Sequence, residues 1–357
     1  MKQRLFASLV AAIAALSVSS ISLAETDRCS EYSRQGKADE AIQECTKQIN
    51  GEIKVGNVAA AYLSRGLAYQ AKAQLDLAIA DFNKALSINP KYDIAYTDRG
   101  NTYVLEGKPD LAIADFNKAI KLNPKSDHAY FNRGTAYQAK GQLDQAIADF
   151  SKVIQLNPKL YQAYFFRAIA RQAKGRLDQA IADFNKAIEL NPKEEPAYLN
   201  RGNTYLLQGR PDQAIADFNK ALSINPRNDE AHSNAGVAYM AKGQLDQAIV
   251  EFNKAIELNP KHVGTYANRG AAYQAKRQFD PAIADYRKAM ELNPKNASAY
   301  YNMACLYSVK KNIEEACVWL ERAVDKGYNN WAHMKKDADL DAVRGAACYK
   351  RITKGKE

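Results

Sequence analysis

The chain has 357 residues, and its formal net charge is +10 at pH 7. The lysines and arginines recur at fixed places along the chain instead of forming one basic stripe, which argues against a nucleic-acid-binding protein. Beyond the N-terminal segment no stretch is apolar enough to cross a membrane, so we expect no integral membrane span in the mature chain.

The N-terminus has the three-part pattern of a secretory signal peptide. Lys2 and Arg4 precede a short apolar run over residues 5–16, and small residues lie one and three places before a cut after Ala24. We therefore predict that residues 1–24 are a cleaved signal peptide and that the mature chain is periplasmic or secreted. An uncleaved membrane anchor is the alternative, which the shortness of the apolar run disfavours.

Most of the remaining chain is built on a period of 34 residues. Asn-Pro dipeptides mark the periods, from Asn89-Pro90 to Asn293-Pro294. In the period at residues 93–126, small and apolar residues recur at helical spacing on both sides of Gly107, which predicts two helices joined by a tight turn. The dipeptide ends the second helix, because a proline disfavours the α conformation of the residue before it. A fixed period of this length predicts stacked helix pairs.

The large and small residues within the period resemble those of the tetratricopeptide repeat (TPR) family. The characteristic positions are filled here by Tyr96, Gly100, Tyr103, Ala112, Phe116, Ala119 and Pro124. The resemblance implies an all-α fold, a right-handed α-solenoid (superhelix) of stacked antiparallel helix pairs. It also implies that the first helix of each pair lines a concave groove that holds a protein or peptide ligand.

The repeats divide the chain into an array with two divergent ends. Residues 59–296 form seven full units, and residues 297–330 form an eighth, divergent unit without the terminal proline. Residues 25–58 are predicted to be a degenerate capping repeat, in which Cys45 replaces the aromatic residue. Residues 331–357 resemble the helical closing segment found after some TPR arrays, followed by a basic tail. Divergent ends are expected because terminal repeats present one polar outer face.

Five cysteines occur in the chain, and an exported protein is permitted to form disulfides. By the repeat register, Cys29 and Cys45 face each other across the first helix pair, so we predict a disulfide that contributes about 3 kcal/mol. Cys305 and Cys317 also lie on facing helices. The odd number leaves at least one thiol unpaired in a monomer, or paired between two chains. The alternative for Cys305, Cys317 and Cys348 is that they are small buried hydrophobes.

The sequence lacks the motifs of common catalytic sites. It has no H-E-x-x-H, G-x-S-x-G, P-loop or G-x-G-x-x-G pattern, and its four histidines are not at metal-ligand spacing. We therefore predict no enzyme activity, no cofactor and no metal site. His232 occupies an aromatic slot of the repeat and is interpreted as a core substitute.

An arginine in the first helix and an aspartate in the second helix recur together. Where the arginine is replaced by Ala235, the acid has changed to Glu251. This covariation predicts an internal ladder of ion pairs that fixes helix pairing. In one unit Arg171 replaces a buried tyrosine, and we expect its stem to pack and its head to reach water. The predicted pairs are Arg65–Asp81, Arg99–Asp115, Arg133–Asp149, Arg167–Asp183, Arg201–Asp217 and Arg269–Asp285.

The groove-facing slots vary from repeat to repeat, whereas the core slots are nearly constant. The apolar candidates are expected to form one exposed apolar stretch in the middle of the groove, a common sign of an interaction site. They are Val104, Leu105, Phe131, Phe165, Ile169, Leu199, Leu206 and Leu207. The alternative for Phe131 and Phe165 is packing against neighbouring helices. Asn101 and Asn203 match the family's groove asparagine, which by resemblance holds the backbone of a bound peptide. The groove candidates are Asn101, Val104, Leu105, Phe131, Phe165, Ile169, Leu199, Asn203, Leu206 and Leu207.

These features together predict a non-enzymatic protein–protein interaction scaffold or adaptor of the bacterial envelope. With its N-terminal signal, the chain resembles an exported bacterial TPR protein. The lysines and arginine of the carboxylate clamp in chaperone-tail TPR proteins are absent, so recognition of a terminal carboxylate is not expected. The alternative is a self-associating structural scaffold of the envelope. An enzyme with its site in residues 331–357 is disfavoured, because that segment is too short.

Overall fold

The computed structural model describes residues 28–52 and 57–355. Within these ranges the chain forms twenty α-helices and one 3-10 turn, and no strand. The predicted all-α fold of paired helices is therefore confirmed. The predicted signal peptide, residues 1–24, lies outside the described residues. None of the described helices is both long and apolar enough to span a bilayer.

The helices fall into two compact units, one ending at Pro192 and the other beginning at Lys193. The first unit contains five helix pairs. Within it each helix packs against its partner, and the second helix of one pair packs against the first helix of the next. The helices of this unit are α1 (Arg28–Arg34), α2 (Ala38–Ile49), α3 (Val58–Ala71), α4 (Leu75–Ile88), α5 (Asp93–Leu105), α6 (Pro109–Leu122), α7 (Asp127–Ala139), α8 (Leu143–Leu156), α9 (Tyr161–Ala173) and α10 (Leu177–Leu190).

The second unit contains four helix pairs and a closing segment. The closing segment comprises two short helices and the 3-10 turn Ala338–Leu340, which packs on α17. The helices of this unit are α11 (Glu195–Leu207), α12 (Pro211–Ile224), α13 (Asp229–Ala241), α14 (Leu245–Leu258), α15 (Val263–Ala275), α16 (Phe279–Leu292), α17 (Ala297–Val309), α18 (Ile313–Asp325), α19 (Trp331–Lys336) and α20 (Ala347–Thr353).

Local sequence sets the ends of the helices. Pro109 begins α6, where its missing N–H costs nothing, and Asn123 leaves the α region before Pro124. Gly107 turns the chain between α5 and α6 with φ 72°, a left-handed conformation that glycine adopts readily. At the equivalent turn after α15, Arg277 adopts φ 58° with a side chain attached, so that turn carries backbone strain.

In each unit the core contains aromatic rings packed against glycines. A Cβ atom on Gly100 would lie 2.6 Å from Cε1 of Phe116, so only glycine lets α5 approach α6 this closely. Phe116 is fully buried. Truncating a ring in such a site costs about 3–5 kcal/mol. The constancy of these slots along the chain is therefore explained by packing.

The predicted ladder of ion pairs is confirmed. In each pair the arginine donates through two nitrogens to the two carboxylate oxygens, with N–O distances from 2.6 to 2.9 Å. Such bidentate, charge-assisted hydrogen bonds fix both distance and orientation. Arg99 also lies over the rings of Tyr96 and Tyr103. The ladder thus joins the first helix of a pair to the second, and tyrosine rings lie against the arginine guanidinium groups.

Two repeats depart from the ladder in ways that the sequence interpretation missed. The head of Arg171 also joins the ladder: its Nη1 donates to Asp183 Oδ2 at 2.7 Å, and Asp183 accepts from Arg167 as well. His232 is buried, but it is more than a core substitute, since its Nδ1 lies 2.6 Å from Glu251 Oε2. A His–Glu contact therefore occurs in this repeat, whereas six other repeats have Arg–Asp.

Two disulfides link helices near the two ends of the repeat array. One joins Cys29 on α1 to Cys45 on α2, with Cα atoms 4.9 Å apart. The other joins Cys317 on α18 to Cys348 on α20, with Cα atoms 5.9 Å apart. Cys305 is left as a buried free thiol, although it lies on the helix paired with that of Cys317. Cys317 pairs with Cys348 because α20 packs against α18.

Candidate functional site: the first-helix faces

The aromatic groove candidates belong to the core of the first unit. Phe131 is fully buried, and its ring lies edge-on to Phe150 at 5.6 Å and to Phe166 at 5.5 Å between ring centroids. Phe165 packs in the same way against Phe166 and Phe184. The expectation that these rings form an exposed apolar surface is wrong, and the packing alternative holds. Phe131 and Phe165 share one position of the first helix, which lies where successive helix pairs pack against each other, so a large ring at this position is enclosed.

Three more apolar candidates are also buried. Val104 packs in a cluster with Ala112 and Phe116, and only 3% of its surface is exposed. Ile169 and Leu199 are buried to a similar degree. The expected exposed apolar stretch is therefore wrong for these residues too. Their apolar character is explained by packing between neighbouring helices.

The apolar candidates with accessible surface lie at the C-terminal ends of first helices. Leu105 and Leu206 are half-buried, and Leu207 is 65% exposed. Leu207 is close in sequence to Tyr205, over whose ring the Arg210 guanidinium lies at 4.9 Å. Alanine fills the slot of Leu207 in most other repeats. Of the apolar candidates, these three leucines are the ones that are not buried, and Leu207 has the most exposed surface.

The two groove asparagines differ in their hydrogen bonding. Asn203 is half-buried and accepts a hydrogen bond from Asn234 Nδ2 at 2.9 Å. Asn101 is 1% exposed, and neither its side-chain nitrogen nor its oxygen has a partner in the described part of the chain. Three residues earlier on the same helix, Asp98 is also 1% exposed, and neither of its carboxylate oxygens has a partner there. Sequence reasoning overlooked Asp98.

A signal for Asp98 was present in the repeat register. The equivalent slot holds asparagine in five other repeats, at Asn132, Asn200, Asn234, Asn268 and Asn302. The aspartate is therefore not required by the fold. Burial, with a smaller contribution from the negative charge of Asp93, raises the pKa of the Asp98 carboxyl to about 8.

The closing segment covers first-helix slots in the second unit. Tyr301 donates to Asp337 Oδ2 at 2.7 Å, and Gln274 donates to Asp339 Oδ2 at 2.7 Å. Leu340 is fully buried between these contacts and the core. Gln274 and Tyr301 occupy the slots that Val104 and Phe131 fill in the first unit, where neighbouring helices enclose them. In the second unit the protein's own closing segment covers these first-helix slots. Sequence reasoning placed this segment at the end of the array but did not foresee that it covers these slots.

The described residues contain no group of three or more histidine, cysteine, aspartate or glutamate side chains that could hold a metal ion. The arrangement offers hydrogen-bond acceptors, amides and short apolar stretches on the first helices. Such surfaces bind by complementarity, and their chemistry is that of recognition.

Matches to repeat-family models cover most of the array. The model described as "Tetratricopeptide repeat" matches residues 59–92, 128–160, 196–228 and 264–296. The model described as "TPR repeat" matches residues 100–141, 168–209 and 236–277. A further tetratricopeptide repeat model matches residues 218–250 and 285–318. No curated protein matches the chain.

Solved structures of helical-repeat proteins resemble the chain. The APC/C hetero-tetramer Cut9–Hcn1 is 19% identical, with 89% of this chain and 64% of that chain covered and a TM-score of 0.55. A tetratricopeptide repeat protein from Parabacteroides merdae is 20% identical, with 78% and 99% covered and a TM-score of 0.51. MamA is 30% identical over 46% of this chain and 96% of its own, with a TM-score of 0.44. The first two likenesses show the fold, and the repeat matches show the family: the chain belongs to the tetratricopeptide repeat family.

Proposed function

We propose that the protein is a non-enzymatic scaffold that holds protein or peptide segments against the first-helix faces of its repeats. One observation carries the proposal. A segment of the chain itself, with Asp337 and Asp339, lies on first-helix slots through hydrogen bonds from Tyr301 and Gln274. These slots therefore have the shape and the donors to hold a short polypeptide segment.

The contrast between constant and variable slots supports the same function. The Arg–Asp ladder and the buried aromatic rings recur from repeat to repeat, and they account for helix pairing. The first-helix slots vary, as Leu105 and Leu207 illustrate by replacing alanine. Exposed apolar side chains on a rigid helix are suitable anchors for a partner segment.

The test compares two exposed leucines on different faces. Leu207→Glu alters a first-helix face, and Leu111→Glu alters a second helix at a leucine that is 49% exposed. Each mature chain, beginning at Glu25, is used to select from a random peptide library displayed on phage. The affinities of the enriched peptides are then measured by calorimetry. We expect Leu207→Glu to weaken at least a subset of the peptides tenfold or more and Leu111→Glu to leave affinities within twofold.

Two results would contradict the proposal. Loss of binding only in Leu111→Glu would place recognition on the second helices. Failure of the unaltered chain to enrich any peptide would refute polypeptide binding as the function. Helical circular dichroism of both variants shows whether each remains folded.

We further propose that the protein acts in the bacterial envelope, as a periplasmic or secreted protein. The support is the signal pattern ending at Ala24, and the disulfides Cys29–Cys45 and Cys317–Cys348 fit an oxidising compartment. Export in a Gram-negative host, followed by N-terminal sequencing, is expected to give Glu25 as the first residue. An intact Met1 in a cytoplasmic fraction would contradict it.

For the alternative of a self-associating scaffold, linkage through a disulfide between two chains is disfavoured. Four cysteines are paired within the chain, and the fifth, Cys305, is buried. No thiol is therefore exposed to link two chains. Self-association through the ends of the array stays an alternative, which the concentration dependence of mass measured by light scattering distinguishes.

A further inference from the structure

The buried carboxyl of Asp98 destabilises the first unit, and nothing in the fold accounts for its presence. It is 1% exposed, and no described group donates a hydrogen bond to either oxygen. Buried polar groups in proteins are almost always hydrogen-bonded. A buried carboxylate without a partner is unfavourable by several kcal/mol, or it binds a proton. Because five repeats hold asparagine at this slot, helix pairing does not require the acid.

Two amides near Asp98 also have unpartnered atoms. Asn101 lies three residues along α5, a spacing that places the two side chains on one face. Asn132 on α7 is 1% exposed, and its Oδ1 has no partner among the described groups. The equivalent pair 102 residues later, Asn203 and Asn234, is bonded at 2.9 Å, so these two slots are neighbours in the repeat geometry, although Asn101 and Asn132 are not bonded to each other. Asp98, Asn101 and Asn132 thus form a cluster rich in hydrogen-bond acceptors, here called the Asp98 cluster.

The chain's own cations do not complete this cluster. Arg99, the residue next to Asp98, donates to both oxygens of Asp115 and to Asn83. Lys140 is paired with exposed Asp110. The charged group that influences Asp98 most directly is Asp93, which has the same sign. The cluster therefore has unpartnered acceptor atoms on all three residues, one unpartnered amide donor on Asn101, and no counter-ion for the Asp98 carboxyl within the described chain.

The cluster belongs to a stripe of four residues along α5 that is polar in the middle and apolar at its two ends. Ile94, Asp98, Asn101 and Leu105 follow at spacings of four, three and four residues, so they lie on one face of the helix. Ile94 and Leu105 are half-buried, and the stripe therefore reaches the surface at both ends. Such a stripe accommodates the aliphatic stem of a long side chain whose charged head lies further in.

We propose that the Asp98 cluster receives a lysine or arginine side chain from a bound polypeptide, with Asp98 as the counter-ion. This inference rests on the proposed polypeptide-binding function and names the residue that the first unit selects. The stem lies along Ile94, one helical turn from Asp98, and the N–H groups donate to Asp98 and to the oxygens of Asn101 and Asn132. A metal ion is a poorer occupant, because no group of three acidic, histidine or cysteine ligands converges in the described residues.

The experiment uses peptide arrays with one fixed central residue. The probes are nonapeptides with random flanking positions and a central Lys, Arg, Met, Gln or Glu, in which Met matches the length of Lys without its charge. The labelled mature chain is compared with Asp98→Asn, which copies the residue of five other repeats. Asp110→Asn serves as the control, since it removes an equal charge from an exposed carboxylate of the same unit, with 81% of its side chain exposed.

The expected result is a preference of at least tenfold for Lys or Arg over Met in the unaltered chain and in Asp110→Asn. In Asp98→Asn that preference is expected to fall below twofold while neutral peptides still bind. Equal binding of Lys, Arg and Met probes by the unaltered chain would overturn the proposal and leave polypeptide binding intact. A preference retained in Asp98→Asn would overturn it as well. If no probe binds any of the three proteins, the proposed function fails together with the inference.

Discussion

Replacing Asp98 by asparagine is predicted to flatten the pH dependence of stability. The Asp98 carboxyl has a pKa of about 8 in the folded chain, against 3.8 for an exposed aspartate. Between these values the folded chain holds a proton that the unfolded chain has released. The unfolded state therefore binds fewer protons, and the free energy of unfolding falls as the pH rises through this window. Asparagine does not titrate, so this contribution disappears in the variant.

The size of the effect follows from the shift. One pKa unit corresponds to about 1.4 kcal/mol, so this single group removes roughly 4 kcal/mol of stability between pH 4 and pH 7. The asparagine leaves an unpartnered amide, which costs about 1–3 kcal/mol at every pH. The slope with pH of the stability difference between Asp98→Asn and the unaltered chain therefore tests the titration of Asp98. The stability difference at a single pH does not, because it also contains the constant cost of the unpartnered amide.

The assay is urea unfolding of the mature chain, followed by circular dichroism, at several pH values between pH 4 and pH 8. Hydrogen exchange of the α5 amides reports the same difference locally if the two compact units unfold separately. Asp110→Asn is the control, and its curve is expected to run parallel to that of the unaltered chain. Parallel curves for Asp98→Asn and the unaltered chain would refute the reasoning, because they would show that the Asp98 carboxyl is not desolvated.

Three further predictions concern packing, backbone strain and the closing segment. Phe131→Ala is expected to lower the free energy of unfolding by about 3–5 kcal/mol, whereas Leu207→Ala changes it by less than about 0.5 kcal/mol, both measured by urea unfolding. Equal effects would contradict the burial of Phe131. Arg277→Gly is expected to stabilise the chain by about 1 kcal/mol by relieving a positive φ, visible as a higher Tm; an unchanged or lower Tm counts against that strain. Cys317→Ser is expected to lower hydrogen-exchange protection in α20, and unchanged protection would mean that the disulfide does not hold this helix.

The fold was predictable because its determinants repeat. The glycine at Gly100 and the ring at Phe116 recur at the same slots in other periods, so one sequence supplies many observations of each core position. The ladder was predictable for the same reason, because the change from arginine to Ala235 is accompanied by the change to Glu251. Repetition separates structural residues from variable ones without any second sequence.

The accessibility of the candidate site was not predictable in this way. Phe131 is enclosed because its slot is buried in most repeats, as at Leu63 and Leu199, and the spacing of apolar residues does not distinguish a helix face covered by the next repeat from one open to a ligand. The contact between Gln274 and Asp339 joins residues 65 positions apart, one of them outside the array. This contact occurs once, so periodicity contains no information about it.

Asp98 illustrates how a repeat protein can add specificity to a fixed scaffold. The ladder aspartates, such as Asp115, have two N–H donors from an arginine of the same repeat, and they stabilise the helix pair in the absence of any partner. Asp98 has none within the described chain, so its carboxyl opposes folding of the free protein at neutral pH. A partner that supplies the missing cation removes this opposition. The same residue that weakens the free protein would then favour a basic partner over a neutral one, and Asp98→Asn is expected to remove both the pH-dependent destabilisation and the preference for a basic partner.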